Sequence, residues 1–410
     1  MSAPDAVPSV LPRLVPTPAA YRDAAPRRPV SRFRALAAIW HHRSGTPHFE
    51  GTTLTWRRRL NFQLVRAQRL ACRPRVRGYP LILTIDARNA CNLRCPHCMT
   101  GAAKRSRVAA SFPPALFERL MAELGDHLLL VEFGNWGEPL LAPALPALIA
   151  SAARRGIGTM VATHLSVPLD AARAEALVAS GLAVLGAAAD GATQESYARY
   201  RRGGSLDLVL ANLELLERTK RRLRSPTPRL VWSFHVFAHN VHQIEQAQAA
   251  AARLGIQFSV SKGFVTGPDW DPENRWPFHF EAQAGHPVEP CHFLWERAVV
   301  SHDGGVAPCL GAFYPEDDYG RFGDGSFRAA WNGARFQAAR RLHRRRQLAD
   351  VAPALICAGC PQTRLLHDYR EHRAAGGSEA SYRPALSSHD GWNYFFARRP
   401  PGVATADAGG

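Results

Sequence analysis

The sequence predicts an α/β fold: a partial (β/α)6 barrel over residues 80–262, followed by a small α+β domain over residues 291–365. Three observations predict it. Six short apolar runs alternate regularly with helical stretches, the pattern of a parallel sheet with right-handed crossovers. Six units fall short of the eight that close a full barrel, so the barrel is curved and partly open, with a lateral gap that admits a large substrate. Behind it, Asp303, Gly304 and Gly305 supply hairpin chemistry between two short strands.

Taken in order, residues 1–79 form an Arg-rich N-terminal extension. Its first thirty or so residues, rich in Pro, Ala and Arg, read as a mobile tail. They lack the apolar core of a signal peptide, and no run of eighteen or more apolar residues follows, so a cytoplasmic location without membrane spans is expected. Near residue 60 a helix is predicted with Leu60, Phe62, Leu64 and Val65 on the face that packs against the barrel. Strands are read at 81–85, 128–133, 158–163, 182–188, 229–237 and 256–260 from their apolar runs. Helical stretches lie between them, one opened by Asp170 and two closed by Gly181 and Gly255. Residues 263–290 set prolines around Trp and Phe with no periodicity and form a linker or lid. The hairpin follows, then a helix around residues 327–346, then a C-terminal tail over residues 366–410.

The formal net charge of +17 raises a nucleic-acid reading, since residues 1–80 hold 15 Arg against 3 acidic residues. Yet only Lys104, Lys220 and Lys262 among the 51 basic residues are lysine, which fits an Arg-prone genome as well as a selected surface. No RNP-like or helix-turn-helix signature is present, and nucleic acid is not an expected partner.

The chain has eight cysteines. Without an export signal, metal ligation or redox chemistry is favoured over disulfides. Cys91, Cys95 and Cys98 fall within "NACNLRCPHCMTG", directly after the first strand, at the end of the sheet where α/β folds carry their chemistry. A structural zinc site wants four ligands, and His97 could add the fourth only through a sharp bend. Three thiolates suit a cubane of four irons and four sulfides with one iron left open. Cys291, Cys309, Cys357 and Cys360 are separated by 18, 48 and 3 positions. Four thiolates suit tetrahedral zinc or a fully ligated iron–sulfur cluster, and spacing alone does not decide. Cys72 stands alone and is assigned to packing.

On these residues the sequence resembles the radical S-adenosylmethionine (radical SAM) superfamily. Cys91, Cys95 and Cys98 match its Cys-x3-Cys-x2-Cys signature, with His97 in the aromatic position before the last Cys. "FGNWGEP" looks like its Gly-Glu motif at Gly137 and Glu138, and "AADGATQESYARYRRGGS" like its Asp-Gly plus Tyr-x-x-x-Arg segment. The resemblance implies a TIM-like barrel whose open iron binds the amino and carboxylate groups of S-adenosylmethionine. It further implies an ammonium contact at Glu138, ribose contacts at Thr163 and His164, and a carboxylate contact at Arg201, with Arg199 and Arg202 as rivals. Ala188 stands where the family often has Ser, so that contact is missing. Asn240 resembles a family position and fits equally a plain helix cap.

The late cysteines, within "CHFLWERAVVSHDGGVAPCLG", "WNGARFQAAR" and "CAGC", resemble the SPASM or twitch extension behind many such barrels. Four cysteines suit one auxiliary 4Fe-4S cluster, which has no open iron and is fitted to carry electrons. The resemblance therefore implies an enzyme that cleaves S-adenosylmethionine reductively to a 5′-deoxyadenosyl radical and takes hydrogen from its substrate, fed by a flavodoxin- or ferredoxin-type donor. No separate leader-peptide-binding domain is recognised before the barrel, which favours dehydrogenation or epimerisation of a small hydroxylated metabolite. Radical maturation of a ribosomally made peptide is the alternative within the class, and a non-catalytic zinc protein binding RNA the alternative outside it.

Overall fold

A computed structural model of the chain describes residues 49–104, 106–263, 268–270, 288–323, 325–344, 355–379, 381–382 and 396. The expected N-terminal tail and most of the linker lie outside the described residues.

The barrel alternates as its periodicity requires. Strands β1 (Ile82–Ile85), β2 (Leu130–Phe133), β3 (Gly158–Thr163), β4 (Val184–Ala188), β5 (Arg229–Val236) and β6 (Gln257–Lys262) are all parallel to their neighbours and lie in chain order across the sheet. A sequential order has no switch point, so successive crossovers run the same way, as in a barrel rather than a doubly wound sheet. In chain order, helix α1 (Trp56–Leu70) precedes β1, α2 (Pro114–Leu124) and α3 (Leu145–Arg154) flank β2, and α4 (Ala171–Ala179) follows β3. Between β4 and β5 stand α5 (Gln194–Tyr200) and α6 (Leu206–Leu223), and α7 (Ile244–Leu254) leads into β6. Asp170 caps α4 by accepting from Arg173 N at 2.8 Å, and Gly255 closes α7 with φ +71°, a conformation glycine adopts without penalty.

The C-terminal hairpin does not form its own sheet. Strand β7 (Arg297–Val300) pairs in parallel with β1, Ile82 opposite Arg297 and Ile85 opposite Val300. Strands β8 (Gly305–Ala307) and β9 (Gly320–Arg321) then extend the same sheet antiparallel, giving the order β6-β5-β4-β3-β2-β1-β7-β8-β9. The cause is the unclosed barrel: an exposed edge of β1 would leave a row of backbone groups unpaired. Helix α8 (Phe293–Glu296) leads into β7. The helix expected around 327–346 is two, α9 (Phe327–Trp331) and α10 (Ala334–Leu342), because Asn332 turns away to bond both backbone groups of Val76, at 2.8 and 3.1 Å. Helix α11 (Pro361–Ala374) runs on past residue 365, where a tail is expected; its Leu365, Leu366 and Tyr369 pack with Val288 and Tyr382.

Helix α1 also departs from expectation. Its buried stripe is Arg58, Asn61, Phe62, Val65 and Arg69, while Leu60 is 44% exposed and Leu64 only partly buried. The reason is polar. At the N-terminal ends of the strands, helix C-termini leave carbonyls without intrahelical partners. Arg58 collects three of them: Nη1 donates to Gly156 O at 2.6 Å, and Nη2 to Gly125 O at 3.0 Å and Arg155 O at 2.8 Å, while Nη1 also reaches Thr53 O at 2.6 Å ahead of its own helix. We expect Arg58→Met to strand Gly125 O and Arg155 O and lower stability by on the order of 2–5 kcal/mol, read as a shift of the urea midpoint with unchanged slope.

Among the described residues no helix is long and apolar enough to cross a membrane.

Candidate functional site

All eight cysteines are free thiols. Cys91, Cys95 and Cys98 occupy the loop after β1, whose fold is set by backbone bonds: Cys98 N donates to Cys95 O at 3.2 Å and Ala102 N to Cys98 O at 2.7 Å. Gly101 is required there, since a Cβ would stand 2.5 Å from Cys95 N. Burial pushes the Cys91 thiol up to about 12 and raises that of Cys95, and each feels the charge of Cys98. Thiols so placed ionise only beside a compensating cation, which is what a metal cluster provides.

The loop after β2 is clamped onto this one. Buried Asp86 accepts from Asn135 N and Trp136 N at 2.8 Å each, and Glu138 N donates to Ala90 O at 2.9 Å. The approach at Gly137 admits no side chain: a Cβ would lie 1.8 Å from Arg88 O. Glu138 is 1% exposed. Its Oε1 accepts from Thr163 Oγ1 at 2.6 Å and Leu140 N at 2.9 Å, its Oε2 from His164 N at 3.1 Å. Burial raises its carboxyl to about 7 against these bonds. A carboxylate offers about four acceptor directions, so Oε2 keeps one free.

Thr163 donates to Glu138 and also accepts from Leu165 N at 2.9 Å. It thereby supports the buried carboxylate, which needs a donor so close to the strand end, and its hydroxyl keeps one acceptor lone pair. His164 accepts from Ser166 N through Nδ1 at 3.0 Å, which puts its ring proton on Nε2; that nitrogen lies 3.1 Å from Glu138 Oε2 without forming a hydrogen bond to it. Burial first and then Arg201 hold its imidazole down at about 3, so it is neutral.

On the opposite wall, Asp190 closes β4 and is fully buried. Arg201 Nε donates to its Oδ2 at 2.6 Å, and Oδ1 accepts from His235 N at 2.8 Å beside His235 Nδ1 at 2.9 Å. Burial pushes this carboxyl upward most strongly, yet Arg201 and His235 together bring it down to about 2. Of the three candidate arginines, Arg201 is the one that exerts its charge on Glu138, Cys95 and His164. Exposed Arg199 lies over the Trp270 ring at 5.9 Å, and exposed Arg202 receives Arg94 N on its carbonyl. Asn240 stands at the N-cap position of the 3-10 turn Val241–Gln243, but its side chain makes no cap bond: it accepts from Phe237 N at 2.7 Å and donates to Asp190 O and His235 O, tying the loops after β4 and β5. Asp190→Asn should leave Arg201 without its counter-charge and cost about 3–5 kcal/mol. Because the folded value is depressed, this contribution is present above pH 3.8 and is lost as pH falls toward about 2. Thermal melts of both proteins across that window should converge at the acid end.

His97 is nearly buried and held down at about 4 by burial and Arg202. It stacks on Tyr200 at 6.1 Å and meets the Trp270 ring edge-on at 4.7 Å. Trp270 also faces Tyr200, Phe237 and His239, making an aromatic wall over the three-cysteine loop. The sequence alone marks neither Trp270 nor Asp86 as part of this site.

The four late cysteines form one second set. Cys291 precedes α8, Cys309 follows β8, and Cys357 and Cys360 stand at the start of α11, yet their thiols act on one another electrostatically. Burial raises all four. Backbone N–H groups of Phe293 and Leu294 face Cys291, those of Gly311 and Ala312 face Cys309, and those of Gln362 and Thr363 face Cys360. Such N–H donors stabilise thiolates on an iron–sulfur cluster. Among the described residues no three His, Cys, Asp or Glu side chains close round a single metal ion. The thiols of both sets fit iron–sulfur clusters by their donor chemistry. Cys72 is buried in the core, as its packing assignment requires.

The family model described as Radical SAM superfamily matches residues 88–247, and the one described as iron-sulfur cluster-binding domain (SPASM) matches residues 291–361. Mycofactocin maturase MftC of Mycobacterium ulcerans (strain Agy99) is 28% identical over 188 residues, 45% of this chain and 47% of that protein. Its counterpart in Mycobacterium tuberculosis (strain CDC 1551 / Oshkosh) is 26% identical over 188 residues, 45% of this chain and 44% of that one. The match thus spans under half the length of these curated relatives. Among solved structures, Streptococcus suis SuiB bound to precursor peptide SuiA superposes with a TM-score of 0.51 at 14% identity, covering 74% of this chain and 76% of that one.

Proposed function

We propose, from the premise that this chain belongs to the radical SAM superfamily and carries a C-terminal SPASM domain, that it modifies a ribosomally made peptide by radical chemistry. The observation that carries the peptide is the similarity to mycofactocin maturases over 188 residues. It displaces the expected small hydroxylated metabolite, which rested on the lack of a recognisable leader-peptide-binding domain. Residues 1–48, where such a feature could begin, are outside the described residues.

Cys91, Cys95 and Cys98 would hold the SAM-binding 4Fe-4S cluster, and Cys291, Cys309, Cys357 and Cys360 an auxiliary one. When bound, the first cluster and S-adenosylmethionine supply a one-electron cleavage that ends in hydrogen abstraction from an unactivated carbon. The chain's own residues bind and orient. Glu138 offers its remaining Oε2 acceptor to the ammonium, while Thr163, Leu140 N and His164 N fix the carboxylate. Arg201, with Nε held by Asp190 and Nη2 lying 3.4 Å from His235 Nδ1, would turn its remaining guanidinium N–H groups to the carboxylate. Neutral His97, with Tyr200 and Trp270, excludes water from the loop. The reductant would be of the flavodoxin or ferredoxin type.

The test is anaerobic turnover of the reconstituted, reduced chain with precursor peptides encoded beside its gene, followed by mass spectrometry. A mass change in a peptide, formed together with 5′-deoxyadenosine, is expected. Turnover of hydroxylated metabolites with every peptide left unchanged would overturn the reading.

A further inference from the structure

The two cysteine loops share a seam lined with large apolar side chains. Met99 follows Cys98 directly and is 1% exposed; it packs with Phe313 and Tyr314, which lie just beyond Cys309, and with Trp136, which precedes Gly137. Trp136 meets Phe313 edge-on at 5.2 Å, and Phe313 meets Tyr314 likewise at 5.2 Å. The walls are fastened together: Ser106 Oγ donates to Phe313 O at 2.6 Å, Asn135 Nδ2 to Leu310 O at 3.3 Å, and Arg107 bridges Asp303 and Asp318 at 2.6 Å each. A seam so held is mostly apolar with one or two placed polar groups, the make-up of a binding pocket.

It has an occupant. Phe396, 292 positions beyond Lys104, packs half-buried against this cluster. Lys104 Nζ donates to the Phe396 carbonyl at 2.8 Å and stands 4.4 Å from the centre of its ring. One ammonium thus reads a main-chain oxygen and an aromatic face together, recognition of an amino-acid residue rather than of a bare ring. The far C-terminal region, expected as a tail, places this side chain between the loops that carry the two metal-ligand sets.

We propose that this pocket is a subsite for an aromatic residue of a peptide, held in cis by Phe396 until a substrate's own aromatic residue takes its place. The proposal rests on the peptide reading above. Tethering gives Phe396 an effective concentration in the millimolar range, so it competes with any incoming peptide and sets the affinity a substrate must exceed. Lys104 serves both occupants through the same two contacts.

The experiment uses the full-length chain and a fluorescent synthetic decapeptide with the sequence of residues 391–400, GWNYFFARRP, with binding followed by anisotropy. Phe396→Ala should bind the decapeptide at least about tenfold more tightly than the unaltered chain, because the tethered competitor is gone. A decapeptide with Ala in place of its second Phe should lose that gain, and Lys104→Met added to Phe396→Ala should abolish it. Equal affinity for the unaltered and Phe396→Ala chains, or indifference to the Ala-containing peptide, overturns the proposal. Lys104→Met alone probes the same pocket from its wall, so a folding defect in one variant does not decide the result. Absence of any peptide product in turnover would sink the peptide reading while leaving this binding result to stand or fall by itself.

Discussion

Alanine at Cys91, Cys95 or Cys98 abolishes 5′-deoxyadenosine formation and lowers the iron of the anaerobically reconstituted chain from about eight to about four per molecule. The loss is complete because the loop has three thiols, one for each protein-held corner, and each is buried or partly buried with its neighbours fixed by backbone bonds. His97 offers no replacement, because its ring is committed to the aromatic wall with Tyr200 and Trp270. Alanine at Cys357 or Cys360 should give the complementary result, some cofactor cleavage but no product, since those thiols belong to the other set. Iron, sulfide and 5′-deoxyadenosine measured on one preparation check both. Normal cleavage in the first group of variants would remove the basis for the assignment.

Glu138→Gln weakens S-adenosylmethionine binding by about 10–100-fold, the range expected when a charge-assisted bond in a buried site is lost. The amide keeps the shape of the side chain but turns one acceptor into a donor, facing Thr163 and the N–H groups of Leu140 and His164, which all need acceptors. The pH profile separates charge from shape. With its carboxyl raised to about 7 in the empty chain, Glu138 takes up a proton below neutrality, so affinity should fall by up to about tenfold per pH unit below 7. The Gln variant should be flat over that window. The linkage sign for the empty protein runs the other way. A folded value above the ordinary 4.5 means that this group's contribution to stability is fully present below pH 4.5 and is lost as pH rises through about 7. Calorimetric titration from pH 6 to 8 measures the affinity, and thermal melts over the same buffers measure the stability.

The barrel was legible because each βα unit declares itself locally. Its strands fall within two or so residues of the apolar runs, and Asp170, Gly181 and Gly255 punctuate the helices where capping chemistry requires. Three-cysteine spacing, Gly137 and Glu138 were legible for the same reason: a tight turn and a cluster loop are short-range objects. The supporting roles of Thr163 and Asn240 were not legible because their side chains answer to partners outside their own segment. Thr163 reaches Glu138, 25 positions away, and Asn240 reaches Asp190, 50 positions away. Leu60 and Arg58 exchanged places in the helix stripe because orphan carbonyls at 125, 155 and 156 outweighed hydrophobicity there.

By itself the sequence determined the order of six strand–helix units, the two cysteine sets and the Gly137–Glu138 turn, since periodicity and spacing are properties of neighbouring residues. Only the tertiary structure decided that β7 closes the open edge of β1, that Arg201 divides itself between Asp190 and the site, and that Phe396 reaches the seam between the two cysteine loops. Those outcomes depend on which distant groups are left unsatisfied once the barrel has curved, and burial demands partners that no local pattern names.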